Sequence, residues 1–138
     1  MVEAERFHAG NVVMKVVDAI TRDFIREKVE QHVEPNQHFK ADGLQSHWVL
    51  RSMGHELECF PMSGKRGSEE LPNVHRVISL FKRFLFGTYH GVSARYLPCY
   101  LQEFCFRFNR REETRPLWQS LLHACVFALP ITYAEVKR

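Results

Sequence analysis

An α/β fold followed by an all-helical C-terminal part is the architecture this sequence predicts, on three observations. Up to about residue 60, short β-branched runs alternate with amphipathic helical stretches, the order that builds a sheet with at least part of it parallel. A polar segment at 61–72, containing Gly64, Gly67, Ser63 and Ser68, then interrupts the pattern. From Asn73 onward the apolar period is helical and stays so. The 138 residues make one domain, read as a strand and helix part (1–60), a loop (61–72) and a helical part (73–138).

The elements follow in order. Val2, Ala4 and Phe7 mark a first short strand, His8-Ala9-Gly10-Asn11 a turn, and Val12 to Val17 a second, β-branched strand, together a hairpin. Thr21 or Asp23 caps a helix that runs to about His32, with Phe24, Ile25, Val29 and Val33 on its inner side, and Pro35-Asn36 stops it. His38 to Ala41 is a strand ending at Asp42-Gly43. Leu44 to Ser52 is a second helix closed by Gly54, and His55 to Phe60 a further strand. Val77, Leu80, Phe81, Phe84 and Leu85 recur at helical spacing, and Gly87 ends that run. Leu97, Tyr100, Leu101, Phe104 and Phe108 form another stripe. Pro116, suited to a first turn, opens a last helix carrying Leu117, Leu121, Leu122 and Cys125.

Composition narrows the function classes. With 45% apolar and 25% charged residues the chain is globular rather than disordered. No run approaches the roughly 20 apolar residues of a membrane span. The stretch Met1 to Arg6 lacks the apolar core of a secretory signal, and the four cysteines (Cys59, Cys99, Cys105, Cys125) form no CxxC pair. The expectation is a cytoplasmic chain with free thiols and no membrane partner. Charge is unevenly spread: residues 1–74 carry nine Lys/Arg against twelve Asp/Glu, and residues 75–138 carry ten against four. That asymmetry fits a carboxylate site beside a polyanion-binding surface, and equally fits plain solubility.

Three groups of residues could carry chemistry. Asp42 stands at the carboxyl end of a strand, where open α/β sheets place ligands, although Asp-Gly there is also an ordinary turn signal. His75, Ser79 and Lys82 share one helix face, about 10 Å end to end, offering imidazole, hydroxyl and ammonium to a divalent ion and a phosphate. A solvated face of an amphipathic helix reads the same way. Arg107-Phe108-Asn109-Arg110-Arg111 interleaves base and aromatic, a pattern able to track a nucleic-acid backbone. Neither His55 with Cys59 nor His90 with Cys99 and Cys105 has paired zinc-ligand spacing, and nothing local activates a thiol.

Two segments carry a resemblance. Leu71-Pro72-Asn73-Val74-His75-Arg76-Val77-Ile78-Ser79-Leu80-Phe81-Lys82-Arg83, followed by Gly87-Thr88-Tyr89-His90-Gly91-Val92-Ser93, is one. Tyr100 to Arg111, of the form YLxEFxFRxNRR, is the other. Both resemble bacterial insertion-sequence transposases of the DDE superfamily with the ISXO-type domain. The likeness extends back through Gln31 to Pro35, Ala41-Asp42-Gly43 and the hairpin, and forward to Thr132-Tyr133-Ala134-Glu135.

The resemblance implies an RNase H-like mixed sheet and metal-dependent cleavage and joining of DNA strands. Two Mg²⁺ (or Mn²⁺) ions would be held by two aspartates and a third residue on a late helix, assisted by a lysine. Residue by residue, Asp42 matches the second aspartate, His75 the third ligand and Lys82 the lysine. Arg83, Arg107, Arg110 and Arg111 join Lys82 as the expected DNA contacts. The partners implied are transposon ends and target DNA, with room for a homo-oligomer. The family's first aspartate lies on a central strand ahead of the hairpin and has no counterpart here. Asp18 falls after the wrong strand, and Glu3 and Glu5 on a neighbouring one. Pro98, inside or at the start of a segment the family makes helical, is a second departure, costing a hydrogen bond unless the helix starts there. The expectation is a truncated, catalytically incomplete transposase, the alternative a non-catalytic remnant that binds DNA or an intact transposase.

Overall fold

The computed structural model describes residues 2–4, 9–60, 71–113 and 116–136. Its first element pair is antiparallel: β1 (Val2–Ala4) lies against β2 (Ala9–Val12), with Val2 opposite Val12 and Ala4 opposite Ala9. The hairpin is therefore present but shifted. Ala9, Gly10 and Asn11, expected as a turn, are strand residues, whereas Val13 to Val17 form no strand. Phe7 and His8, expected in the strand and the turn, lie outside the described residues. The shift has a tertiary cause. The Val12 N–H donates to Asn109 Oδ1 at 2.7 Å, and Asn109 Nδ2 donates back to the Val12 carbonyl at 3.0 Å, so one side-chain amide reproduces a ladder pair. Ala9 and Val12 bury almost completely, which favours the strand at their positions over one through the β-branched run from Val13 to Val17.

A first lobe is local in sequence. Helix α1 (Arg22–His32) starts where Thr21 Oγ1 accepts the Phe24 N–H at 3.2 Å, with Asp23 in the first turn. Ile25 and Val29 face inward, with Phe24 and Val33 half-buried, as the spacing predicts. Asn36 takes a left-handed φ of 60° and reverses the chain after Pro35. Strands β3 (His38–Asp42) and β4 (Glu56–Phe60) then pair in parallel, in register from His38 opposite Glu56 to Asp42 opposite Phe60. Parallel neighbours need a crossover, and a 3₁₀ turn (Gln45–Trp48) running into the short helix α2 (Val49–Ser52) supplies it. Gly54 ends the crossover at φ 84°, a conformation that strains a side-chain-bearing residue. Ile25, Val29, Val49, Leu50 and Leu57 form the core here.

A second lobe brings the chain's two halves together. Helix α3 (Pro72–Tyr89) begins with Pro72 in the first turn, where no N–H is needed. It runs through Gly87, the expected terminator, to Tyr89, and His90 closes it at φ 52°. The extra turn is held by tertiary contacts: the Tyr89 ring packs on Phe84 and Tyr100, and its hydroxyl donates to Glu103 at 2.5 Å. Helix α4 (Leu97–Asn109) follows a 3₁₀ turn (Ala94–Tyr96). Pro98 falls in its first turn, so it removes no intrahelical hydrogen bond. Ala9, Val12, Val77, Phe81, Leu101 and Phe104 make the second core, with Phe81 and Phe104 edge to face at 5.3 Å.

One expectation about the whole needs correction. Among the described residues the strands form two separate two-stranded sheets rather than one mixed sheet, each pair covered by its own helices. The last amphipathic stretch does form a helix, α5 (Leu117–Phe127) behind Pro116, followed by the single-turn α6 (Tyr133–Val136). Its apolar stripe is not core: Leu121, Leu122 and Cys125 are exposed and Leu117 half-buried.

Asn109→Ala leaves the Val12 N–H and carbonyl without their partners, so urea unfolding is expected to show a loss of about 2–4 kcal/mol. Asn109→Asp, which keeps an acceptor and loses the donor, is expected to fall between. Glu103, accepting the Tyr89 hydroxyl, holds that phenol above its ordinary value of 10.0, with burial adding to the effect. The neutral phenol is the form the fold favours. Its contribution is whole below the unfolded value and disappears as pH rises through the raised folded one. Tyr89→Phe is thus expected to melt earlier than the parent at neutral pH and to converge with it in strong alkali, as followed by circular dichroism.

Candidate functional site

Asp42 closes β3, and its side chain is about one third exposed. The crossover that follows positions His47, whose Nδ1 lies 2.8 Å from Asp42 Oδ1 and 3.3 Å from the Asp42 main-chain oxygen. The approach to Oδ1 is close but lacks hydrogen-bond direction. Oδ1 is shielded from solvent and accepts no hydrogen bond among the described residues. The His47 ring, when protonated, is thus the group placed to offset this shielded carboxylate oxygen.

His75 sits in the first turn of α3, half-buried, its N–H donating to the Leu71 carbonyl at 3.2 Å. Ser79 and Lys82 follow on the same side and are exposed, whereas Val77 and Phe81 turn into the core. The face expected from the spacing is thus formed. No Asp or Glu occurs from Pro72 to Tyr89, so Arg76, Lys82 and Arg83 leave the helix exterior purely basic. None of the three has an ion pair among the described residues.

Asp42 belongs to the β3–β4 lobe, and His75 and Lys82 to the helix packed on the β1–β2 hairpin. Among the described residues no hydrogen bond or ion pair links Asp42 to His75, and no group of three or more His, Cys, Asp or Glu is placed to hold a metal ion. Asp18, weighed as a replacement acid, is exposed in a segment without regular structure. The residues described here do not by themselves fit a two-ion centre. One carboxylate and one imidazole fall short of the oxygen-rich set that Mg²⁺ demands.

The arginine cluster divides by geometry. Arg107 pairs with Glu103 at 2.8 Å across one helical turn, and over half of its side chain remains exposed. Arg110 stacks on Phe106 with 4.0 Å between guanidinium and ring centre, and approaches Glu113 at 3.6 Å. Arg111 reaches across to β2 and also lies 3.2 Å from Glu112. It stacks on Phe108 at 4.2 Å and donates to the carbonyls of Phe108 at 2.9 Å, Gly10 at 3.5 Å and Ala9. Its guanidinium therefore ties the end of α4 to β2. Sequence reasoning did not anticipate Asn109 or His47. The polar Asn109 between aromatics and arginines was a signal for the first, and the placement of His47 one turn beyond Asp42-Gly43 a signal for the second.

The ISXO2-like transposase domain family has a model that matches residues 1–109. The matched stretch runs from β1 to the last residue of α4. It stops short of the Thr132 to Glu135 segment included in the resemblance and leaves out α5. No curated protein and no solved structure matches the chain.

The contrast between neighbouring arginines is measurable. Arg111→Ala removes the donor to three carbonyls and is expected to cost about 2–3 kcal/mol in chemical denaturation. Arg110→Ala, which removes a surface stack and an exposed ion pair, is expected to cost under about 1 kcal/mol.

Proposed function

We propose that this chain, which belongs to the ISXO2-like transposase domain family, serves DNA transposition through the family's metal-dependent phosphoryl transfer, with Asp42, His75 and Lys82 as its share of the site. The observation that carries the reading is the family match across residues 1–109, from the hairpin to the end of α4. The RNase H-like assignment of the fold belongs to the same proposal, supported by a hairpin followed by a parallel strand pair with a crossover.

Asp42 and His75 are the positions that would face Mg²⁺ or Mn²⁺, whose charge would offset the anionic oxygens of a phosphodiester during in-line displacement. Lys82 and Arg83, on an exterior without carboxylates, hold the DNA backbone, and Arg107 and Arg110 extend that contact. Arg111 drops out of the DNA set, since its donors are engaged with β2. No residue of this chain matches the family's first aspartate, so the reading includes catalytic incompleteness of the 138 residues acting alone. A non-catalytic DNA-binding role is the second reading, favoured by the same basic face of α3. No helix of the described residues is long and apolar enough to cross a membrane.

The test combines binding and turnover. Duplex affinity is expected to fall steeply with salt, and the Lys82→Ala, Arg83→Ala double variant to lower the log–log slope by roughly 1–2. Affinity indifferent to salt and to that pair overturns the DNA role. With Mn²⁺ the chain alone is expected to leave DNA uncut. Extended at its N-terminus by a strand bearing an aspartate, it is expected to cut and join, and Asp42→Asn or His75→Ala in that background to abolish turnover. Activity surviving both substitutions overturns the site.

A further inference from the structure

We propose that the exposed apolar surface of α5 and the segment after it is the face on which two copies of this chain associate. The proposal is independent of the DNA role and concerns a part of the chain that the family match does not reach. In α5, Trp118, Leu121, Leu122, Val126 and Phe127 are between 53% and 75% exposed. Leu129, Ile131 and Tyr133 beyond it are at least as open. With about 150–250 Å² for a large aromatic side chain, the patch is on the order of 1,000 Å². A typical monomer's largest apolar patch is only roughly 300–600 Å², whereas one partner of a standard interface buries about 800 Å². The surface is of dimer size.

Its chemistry selects a like partner. From Pro116 to Ala134 there is no Asp, Glu, Lys or Arg, so two copies can meet without like-charge repulsion although the chain from residue 75 onward is strongly basic. The stripe Trp118, Leu121, Leu122, Cys125, Val126 has the i, i+3, i+4, i+7, i+8 spacing of a helix that packs on a helix. Run antiparallel about a two-fold axis, it sets the two leucines against their counterparts and the bulky Trp118 against the smaller Cys125 and Val126, a self-complementary arrangement. A bilayer suits it poorly. Eleven residues span about 16 Å, half a hydrocarbon core, and the stretch from Pro116 to Ala134 itself carries no lysine or arginine to anchor a polar face among headgroups.

Sedimentation velocity on the full chain across the micromolar range is expected to show a monomer–dimer equilibrium. Leu121→Glu with Leu122→Glu is expected to weaken it on the order of a hundredfold, because each dimer would bury four carboxylates. Neither leucine belongs to a core, so the circular dichroism melt of that variant is expected to match the parent and serves as the folding control. A bismaleimide spanning about 10 Å, the offset of the two thiols about the axis, is expected to trap the dimer through Cys125 in a Cys99→Ser background, and Cys125→Ser to abolish the product. A monomer at every concentration, a dimer indifferent to the glutamates, or open-ended aggregation without a discrete dimer would each overturn the proposal.

Discussion

The amide of Asn109 bonded to both backbone groups of Val12, across 97 residues of sequence, is the constraint on which the second lobe depends. A two-stranded hairpin is marginal in water, and among the described residues β2 has only β1 as a strand partner. Asn109 and Arg111 between them bond to backbone groups of Ala9, Gly10 and Val12. With β2 held, Ala9 and Val12 can be delivered to Val77, Phe81, Leu101 and Phe104, and α3 and α4 share one core. Polar contacts of small individual worth here decide where the apolar ones form.

What the sequence reveals of this arrangement follows a physical line. Helix α1 is legible because its determinants are local: Thr21 accepts from Phe24 three residues on, and Ile25 and Val29 repeat at one turn. The β3 and β4 segments are legible for the same reason, bounded by Asn36, Gly43 and Gly54. Ala9-Gly10-Asn11 reads as a turn because its strand geometry is imposed by a side chain about 100 residues away. Gly87 reads as a stop because the packing of Tyr89 that carries the helix past it lies on another element. At the candidate site, Asp42 at a strand end and the polar face of α3 could be foreseen from spacing. The direction in which each arginine of a run points could not, since Arg110 and Arg111 are adjacent in the chain and opposite in employment.

That division of labour bears on how a basic stretch is to be interpreted. A count of positive residues treats Arg107, Arg110 and Arg111 as equals, whereas one is neutralised across a helical turn by Glu103, one rests on an aromatic ring, and one is consumed by carbonyls. Helix α3, with no carboxylate among its own residues, presents the same number of cations and leaves them uncompensated on their own element. Field at a surface depends on such local cancellation rather than on totals.

The long reach of the Asn109 and Arg111 contacts also has a temporal meaning. Residues 21–60 hold their own caps, crossover and core, so that unit can assemble as soon as it leaves the ribosome, whereas Ala9 and Val12 must wait for Asn109 and Arg111 to be made. At about 5–20 residues per second that interval is several seconds or more, during which an unclosed, partly apolar N-terminal ribbon stays available to chaperones and to neighbouring nascent chains.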